Sequence, residues 1–267
     1  MTNKIKVAVS GACGKMGQAV IKAVNVEADL ELVSAIDVIN TGKDIGEIVE
    51  NKTCGVLIEN SLEHALKTKK IDVVVDFTNP DLVFENSKLI LENGARPVIG
   101  TTGLTVRQLE ELKKLSEQKE LGALVAPNFA VGAVLMMMFS QKASKYFSNA
   151  EIIELHHNNK KDAPSGTAIK TAQLMTQERA KFGKDNCPEV ETYKGSRGGV
   201  TESNIHIHSV RLPGFIAHQE VIFGSAGQAF TLRHDSFDRI SFMPGVVLGI
   251  RHVVNNKDFV YGLENIL

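Results

Sequence analysis

Through its first half the chain alternates short runs of apolar, β-branched residues with longer stretches where leucines recur at helical spacing among charges. Strands are predicted at 5–10 (IKVAVS), 31–37 (ELVSAID), 71–77 (IDVVVDF), 97–101 (PVIGT) and 123–126 (ALVA). Helices are predicted between them, notably over 81–93 and 105–120. Most of these strands are nearly continuous hydrophobic runs, as in a parallel sheet covered on both faces. The order β-then-α, repeated, predicts an α/β fold with an N-terminal Rossmann-like, doubly wound parallel sheet.

After Asn128 the texture changes. An apolar helix, a strand at 150–157, a polar loop at 158–164 and a helix over 166–182 lead into a Gly-rich stretch, YKGSRGGVTES. Alternating strands follow at 205–210, 219–224 and 229–234. Their period of two suits an open antiparallel or mixed sheet in a smaller α+β domain. The predicted division is therefore a dinucleotide-binding domain over 1–127, and a substrate-binding and oligomerisation domain over 128–238. Residues 239–267, opening with an apolar helical stretch despite Pro244, are expected to pack back onto the first domain.

Composition narrows the field of functions. With 30 basic and 31 acidic residues among 267, the chain has no excess positive charge with which to neutralise nucleic-acid phosphates. No apolar run approaches the roughly 20 residues of a bilayer span, so no membrane partner is expected. The three cysteines, Cys13, Cys54 and Cys187, have neither the spacing of a zinc site nor the density of a disulfide framework, which points to a reducing, cytoplasmic setting. Cys13 lies inside a Gly-rich turn and Cys187 beside Pro188, neither placed as a catalytic thiol.

The segment VAVSGACGKMGQAV sets Gly11, Gly14 and Gly17 between a strand and a helix. Glycines here let the chain turn out of the strand, let a pyrophosphate approach the backbone, and let helix and strand pack closely. The helix start adds unpaired amides and partial positive charge. A tight turn with no ligand uses the same residues, but Asp37 follows the last glycine by 20 positions, where a dinucleotide fold needs a carboxylate for the ribose. A carboxylate there opposes a 2′-phosphate, so NADH is favoured; Lys15 and Lys43 supply positive charge nearby and leave NADPH open.

A second constellation, EIIELHHNNKKDAPSGTAIK over 151–170, is more specific. His156 and His157 end a strand, Lys160 and Lys161 follow in a loop, and Ser165, Gly166 and Thr167 open a helix after Pro164. Adjacent histidines reach one cleft only where a strand is ending. An SGT turn at a helix start offers amides and hydroxyls to an anion, and Ser165 equally suits a helix cap. No GxSxG elbow surrounds Ser165, and the histidine pair lacks metal-ligand spacing, so no metal is expected. His206 and His208 share a strand face and read as surface or interface residues.

These segments, with DFTNP (76–80), GTTG (100–103) and APNFAVG (126–132), resemble the dihydrodipicolinate reductase family over essentially the whole chain. The resemblance implies hydride transfer from NADH or NADPH to a cyclic imine dicarboxylate, 4-hydroxy-tetrahydrodipicolinate, with loss of water, in the diaminopimelate route to lysine. It implies His156 as general acid with Lys160 as its partner, and His157, Ser165, Gly166 and Thr167 as carboxylate binders. It places the cofactor on Gly11, Ala12, Gly14, Lys15, Met16, Asp37, Gly100, Thr101, Thr102, Ala126, Pro127, Asn128 and Phe129. It also implies a homotetramer built through the second domain's sheet.

Overall fold

The computed structural model describes residues 4–183 and 190–267, so Cys187 and its setting lie outside the described residues. The chain divides into two compact units, residues 1–130 with 242–267, and residues 131–241.

In the first unit the elements run β1 (Ile5–Ser10), α1 (Lys15–Val26), β2 (Leu30–Ile36), α2 (Ile45–Glu50), β3 (Ile58–Glu59), α3 (Leu62–Thr68), β4 (Val73–Asp76), α4 (Val83–Glu92), β5 (Arg96–Ile99), α5 (Val106–Lys119) and β6 (Ala123–Val125). The unit is completed from the other end of the chain, as described below. Val7, Ala8, Val9 and Val73 to Val75 are all fully buried, which is what a continuous apolar run means when helices lie on both faces. On one side Ala8, Ile36 and Val74 meet Leu62, Ala65 and Ile90 from α3 and α4. Thr105 starts α5 with a capping box, its hydroxyl accepting from the Gln108 amide while the Gln108 side chain accepts from the Thr105 amide.

The second unit runs α6 (Val131–Ala143), β7 (Asn149–His156), α7 (Gly166–Glu178), β8 (Gly199–Val200), β9 (His206–Arg211), β10 (Ala217–Ser225) and β11 (Gln228–Ser236). Its sheet, ordered β11-β10-β7-β9-β8, is mixed: β7 pairs antiparallel with β10 but parallel with β9. Period-two alternation reports only which face a residue occupies and carries no strand direction, so the antiparallel alternative is set aside by the register itself. Ala150, Ile152 and Glu154 of β7 and Val221 and Phe223 of β10 are buried on one face, while Glu151, Ile153, Leu155 and Ile222 on the other are half-exposed.

The chain then returns to the first unit as a 3-10 turn over Arg239–Phe242, α8 (Met243–Asn255) and β12 (Phe259–Tyr261). The 239–254 stretch is thus helical from Met243, with Pro244 in the first turn, where its missing N–H costs nothing. β12 adds a parallel edge strand beside β6, completing the order β12-β6-β5-β4-β1-β2-β3. The chain winds outward from β1 to β3 and then returns to add β4 on the other side of β1, and this switch in strand order opens a crevice at the carboxyl ends of the strands.

Candidate active site

The turn from β1 to α1 is shaped by two glycines. Gly11 has φ +80°, and a Cβ on it would stand 2.5 Å from the Phe77 carbonyl oxygen. A Cβ on Gly17 would stand 2.1 Å from the Gly11 carbonyl oxygen and 2.9 Å from the Ala12 Cα. Both obstacles are backbone, so helix and strand approach this closely only without side chains. Gly14 caps α1, leaving the amides of Lys15 and Met16 at the helix start. Asp37 follows β2 and accepts from the amides of Cys13 (2.8 Å) and Ile39 (3.1 Å), which aims its carboxylate at the turn. A cleft of about 610 Å³ lined by Ser10, Gly11, Gly14, Asp37, Ile39, Thr78 and Leu82 opens there. The space, the unpaired amides and the carboxylate fit the adenosine and pyrophosphate of a nicotinamide dinucleotide.

Gly100, Thr101 and Thr102 follow β5, and Ala126, Pro127, Asn128 and Phe129 follow β6, so all the predicted cofactor residues lie beyond the carboxyl ends of parallel strands. A residue the sequence reading missed organises them. Asp76, fully buried at the end of β4, accepts from the Thr78 amide (3.0 Å), the Thr78 hydroxyl (2.7 Å), the Thr101 hydroxyl (2.8 Å) and the Asn86 side chain (2.8 Å). One carboxylate thereby ties the loops after β4 and β5 together. The available signal was an acidic residue closing an otherwise all-apolar strand.

Replacing Gly17 with alanine is expected to force α1 away from β1. The outcome is at least a tenfold loss of dinucleotide affinity and about 1–3 kcal/mol of stability, read by NADH fluorescence titration and thermal unfolding.

In the second unit His156 is the last residue of β7, and its side chain is 15% exposed. Its Nδ1 lies 2.6 Å from Glu154 Oε2. Glu154, two residues earlier on the same strand face, is wholly buried and also takes a paired contact from Arg211, at 2.7 and 2.8 Å. Burial alone would raise the Glu154 pKa, but hydrogen bonds from His156, Arg211 and Ser209, with the charge of His156, outweigh it and hold the carboxyl at about 2. Arg211 reaches further, donating to the Asp162 carbonyl at 2.8 Å and so holding the loop that carries Lys160.

Lys160 Nζ donates to both Asp162 carboxylate oxygens at 2.8 Å. The lysine side chain is 21% exposed and the aspartate 64%, so this pair is open to exchange with an incoming anion. His157 Nδ1 is buried with no hydrogen-bond partner among the described residues. Ser165, buried after the cis Ala163–Pro164 peptide, is the cap of α7: its hydroxyl accepts from the Ala168 amide at 3.2 Å. Its own amide donates to Glu154 Oε1 at 3.1 Å. Of the SGT turn, then, the amides of Gly166 and Thr167 are the donors left over at the helix start. A Cβ on Gly166 would meet nothing within 4 Å, so the space above those amides is clear.

His206 and His208 stack with ring centroids 6.4 Å apart, and His208 Nε2 contacts Glu151 at 2.7 Å. Among the described residues there is no group of three or more His, Cys, Asp or Glu side chains that could hold a metal ion. Nor is any described helix long and apolar enough to cross a membrane.

A glycine turn with a carboxylate beside it on a doubly wound sheet, joined in one chain to a histidine paired with a buried glutamate, belongs to an oxidoreductase that uses a nicotinamide cofactor. Within that class the family is definite. The family models described as Dihydrodipicolinate reductase, N-terminus, and Dihydrodipicolinate reductase, C-terminus, match residues 5–129 and 132–267, and the chain belongs to the dihydrodipicolinate reductase family. It is 56% identical over 263 residues to the 4-hydroxy-tetrahydrodipicolinate reductase of Listeria monocytogenes serotype 4b, covering 98% of this chain and 100% of that one. It is 49% identical to the enzyme of the same name from Syntrophomonas wolfei, over the full length of both. Among solved structures it matches the dipicolinate-bound dihydrodipicolinate reductase of Paenisporosarcina sp. TG-14 with a TM-score of 0.90 and 49% identity, covering 99% and 100% of the two chains. An amine dehydrogenase from Mycobacterium smegmatis, 13% identical with a TM-score of 0.67 and coverage of 94% and 92%, shares the fold.

Proposed function

We infer that this protein reduces 4-hydroxy-tetrahydrodipicolinate to tetrahydrodipicolinate with loss of water, consuming NADH or NADPH and a proton, in the diaminopimelate route to lysine. The observation that supports this most directly is the meeting of His156 and the SGT turn on one buried carboxylate, Glu154, whose partner Arg211 also holds the Lys160 loop. The bound cofactor supplies the hydride; Gly11, Ala12, Gly14, Lys15, Met16 and Asp37 would hold its adenosine and pyrophosphate, with Gly100 to Thr102 and Ala126 to Phe129 toward the nicotinamide.

His156 then gives a proton to the ring carbon that hydride addition leaves electron-rich. Lys160 exchanges Asp162 for one substrate carboxylate, and the free amides of Gly166 and Thr167 receive the other, with His157 and the Ser165 hydroxyl beside them. Two anion-binding elements match a substrate with two carboxylates, and a relative carries dipicolinate. The reading is tested by mixing the purified protein with the condensation product of pyruvate and aspartate semialdehyde and following NADH and NADPH oxidation separately. Failure to oxidise either in a substrate-dependent way overturns it.

NADH is the preferred donor in this reading. At about 4 Å a 2′-phosphate beside Asp37 meets repulsion of about 1 kcal/mol in water and about 4 kcal/mol near a partly screened surface. Val38 and Ile39, the next residues, offer no compensating charge. Asp37→Ala is expected to shift the NADH-to-NADPH ratio of kcat/KM about tenfold toward NADPH; an unchanged ratio removes the ribose contact. The half-exposed sheet face bearing Glu151, Ile153, Leu155 and Ile222 is the surface on which we place assembly into a homotetramer, measurable by native mass spectrometry. A cytosolic location accords with the free thiols of Cys13 and Cys54.

A further inference from the structure

We propose that Glu154 is a positioning residue for catalysis: it fixes the tautomer of His156 and ties that ring to the turn that opens α7, with Arg211 as its counter-charge. The proposal rests on reading His156 as the general acid, and adds the element that sets which ring nitrogen does the work.

The geometry leaves little freedom. Each Glu154 oxygen takes one Arg211 nitrogen and a further donor, His156 Nδ1 at Oε2 and the Ser165 amide at Oε1, and the Ser209 hydroxyl donates to the same carboxylate. An ionised carboxylate can only accept, so the ring nitrogen facing it must carry hydrogen. A neutral imidazole has a single N–H, and with that hydrogen committed to Nδ1, Nε2 becomes the atom that gains a proton and passes it on. The carboxylate is itself enclosed by donors and stays ionised at neutral pH, so it orients the ring without taking its proton. The Ser165 amide on the other oxygen means that one group sets both the acid and the start of the carboxylate-binding turn.

A glutamine at position 154 makes the idea sharp. The Ser165 backbone amide can only donate and holds the amide oxygen at the Oε1 position, whereas Arg211 donates at both positions and favours neither, so the NH₂ turns toward His156. His156, unlike Arg211, can change from donor to acceptor. Glu154→Gln is therefore expected to move the hydrogen from Nδ1 to Nε2.

The experiment is a long-range ¹H–¹⁵N histidine spectrum of the intact enzyme, with His156 assigned by its absence in His156→Ala. The wild type is expected to show the Nδ1–H tautomer of the neutral ring; an Nε2–H tautomer with bare Nδ1 overturns the proposal without any need for a folded variant. In Glu154→Gln the tautomer is expected to switch and kcat to fall about 10- to 100-fold, as when a histidine loses the group that orients it. KM and the NADH dissociation constant should move far less. Unchanged kcat in a folded Glu154→Gln also overturns it. If instead His156→Ala keeps full turnover, the general-acid reading fails, and the spectrum still shows separately whether Glu154 sets the ring.

Discussion

Replacing His156 by alanine is expected to lower kcat by about 10²- to 10⁴-fold, the usual contribution of a positioned proton donor. The NADH dissociation constant should stay within about twofold, because in the proposed mechanism the general acid acts only after the hydride has moved. The ring is only 15% exposed and contacts the buried Glu154, so its loss removes packing as well as a donor, and the thermal unfolding midpoint of the variant is the check that it still folds. Lys160→Ala is expected to act differently. Its Nζ is already paired with Asp162, and the role proposed for it is to receive a substrate carboxylate, so KM should rise along with the fall in kcat. Steady-state kinetics with a separate cofactor titration distinguish the two, and full activity in both variants would refute the assigned roles.

The second large effect concerns stability. Arg211→Leu leaves the wholly buried Glu154 carboxylate without its paired cation, a loss of about 3–5 kcal/mol, expected as a fall of about 10 °C in the unfolding midpoint. Glu154→Gln with Arg211→Leu should recover much of that loss, since removing both charges is far cheaper than stranding one. Acid is predicted to have a related effect. The folded carboxyl titrates at about 2 against an ordinary value of 4.5, so its contribution is present in full above about 4.5 and is lost as pH falls toward 2. That difference corresponds to about 3 kcal/mol, and denaturant titrations between pH 6 and pH 3 should be less pH-dependent in the double variant than in the wild type.

What the amino-acid pattern could reveal followed from its range. Strands such as IKVAVS and IDVVVDF, the glycine turn and the SGT cap are local signals, decided by periodicity and by what a turn demands of its residues. Short edge strands with two or three paired residues, β3 and β12, lack enough alternation to register, and they were missed. Asp76 and Glu154 were visible as acids on apolar strands, and the spacing of Glu154 and His156 already placed both on one strand face. Arg211 was not accessible in this way. Its partnership with Glu154 spans 57 positions and exists because β9 lies parallel to β7 with Arg211 opposite His156, a register that no local pattern encodes. Ser165 illustrates the converse: a cap and an anion binder look alike in sequence, and the buried amide engaged by Glu154 shows how its donors are divided.

The first unit leaves its own path after Ala130 and resumes at Phe242, and Gly245 packs so near the Phe129 carbonyl that a Cβ there would stand 2.1 Å from it. During synthesis the nucleotide-binding half must therefore wait, one flank of its sheet uncovered, while more than a hundred intervening residues emerge and fold, until α8 and β12 arrive. Residues 131–241 behave topologically as a cassette whose ends meet at one place. A chain ending before Met243 would carry every element of the insert attached to an incomplete host.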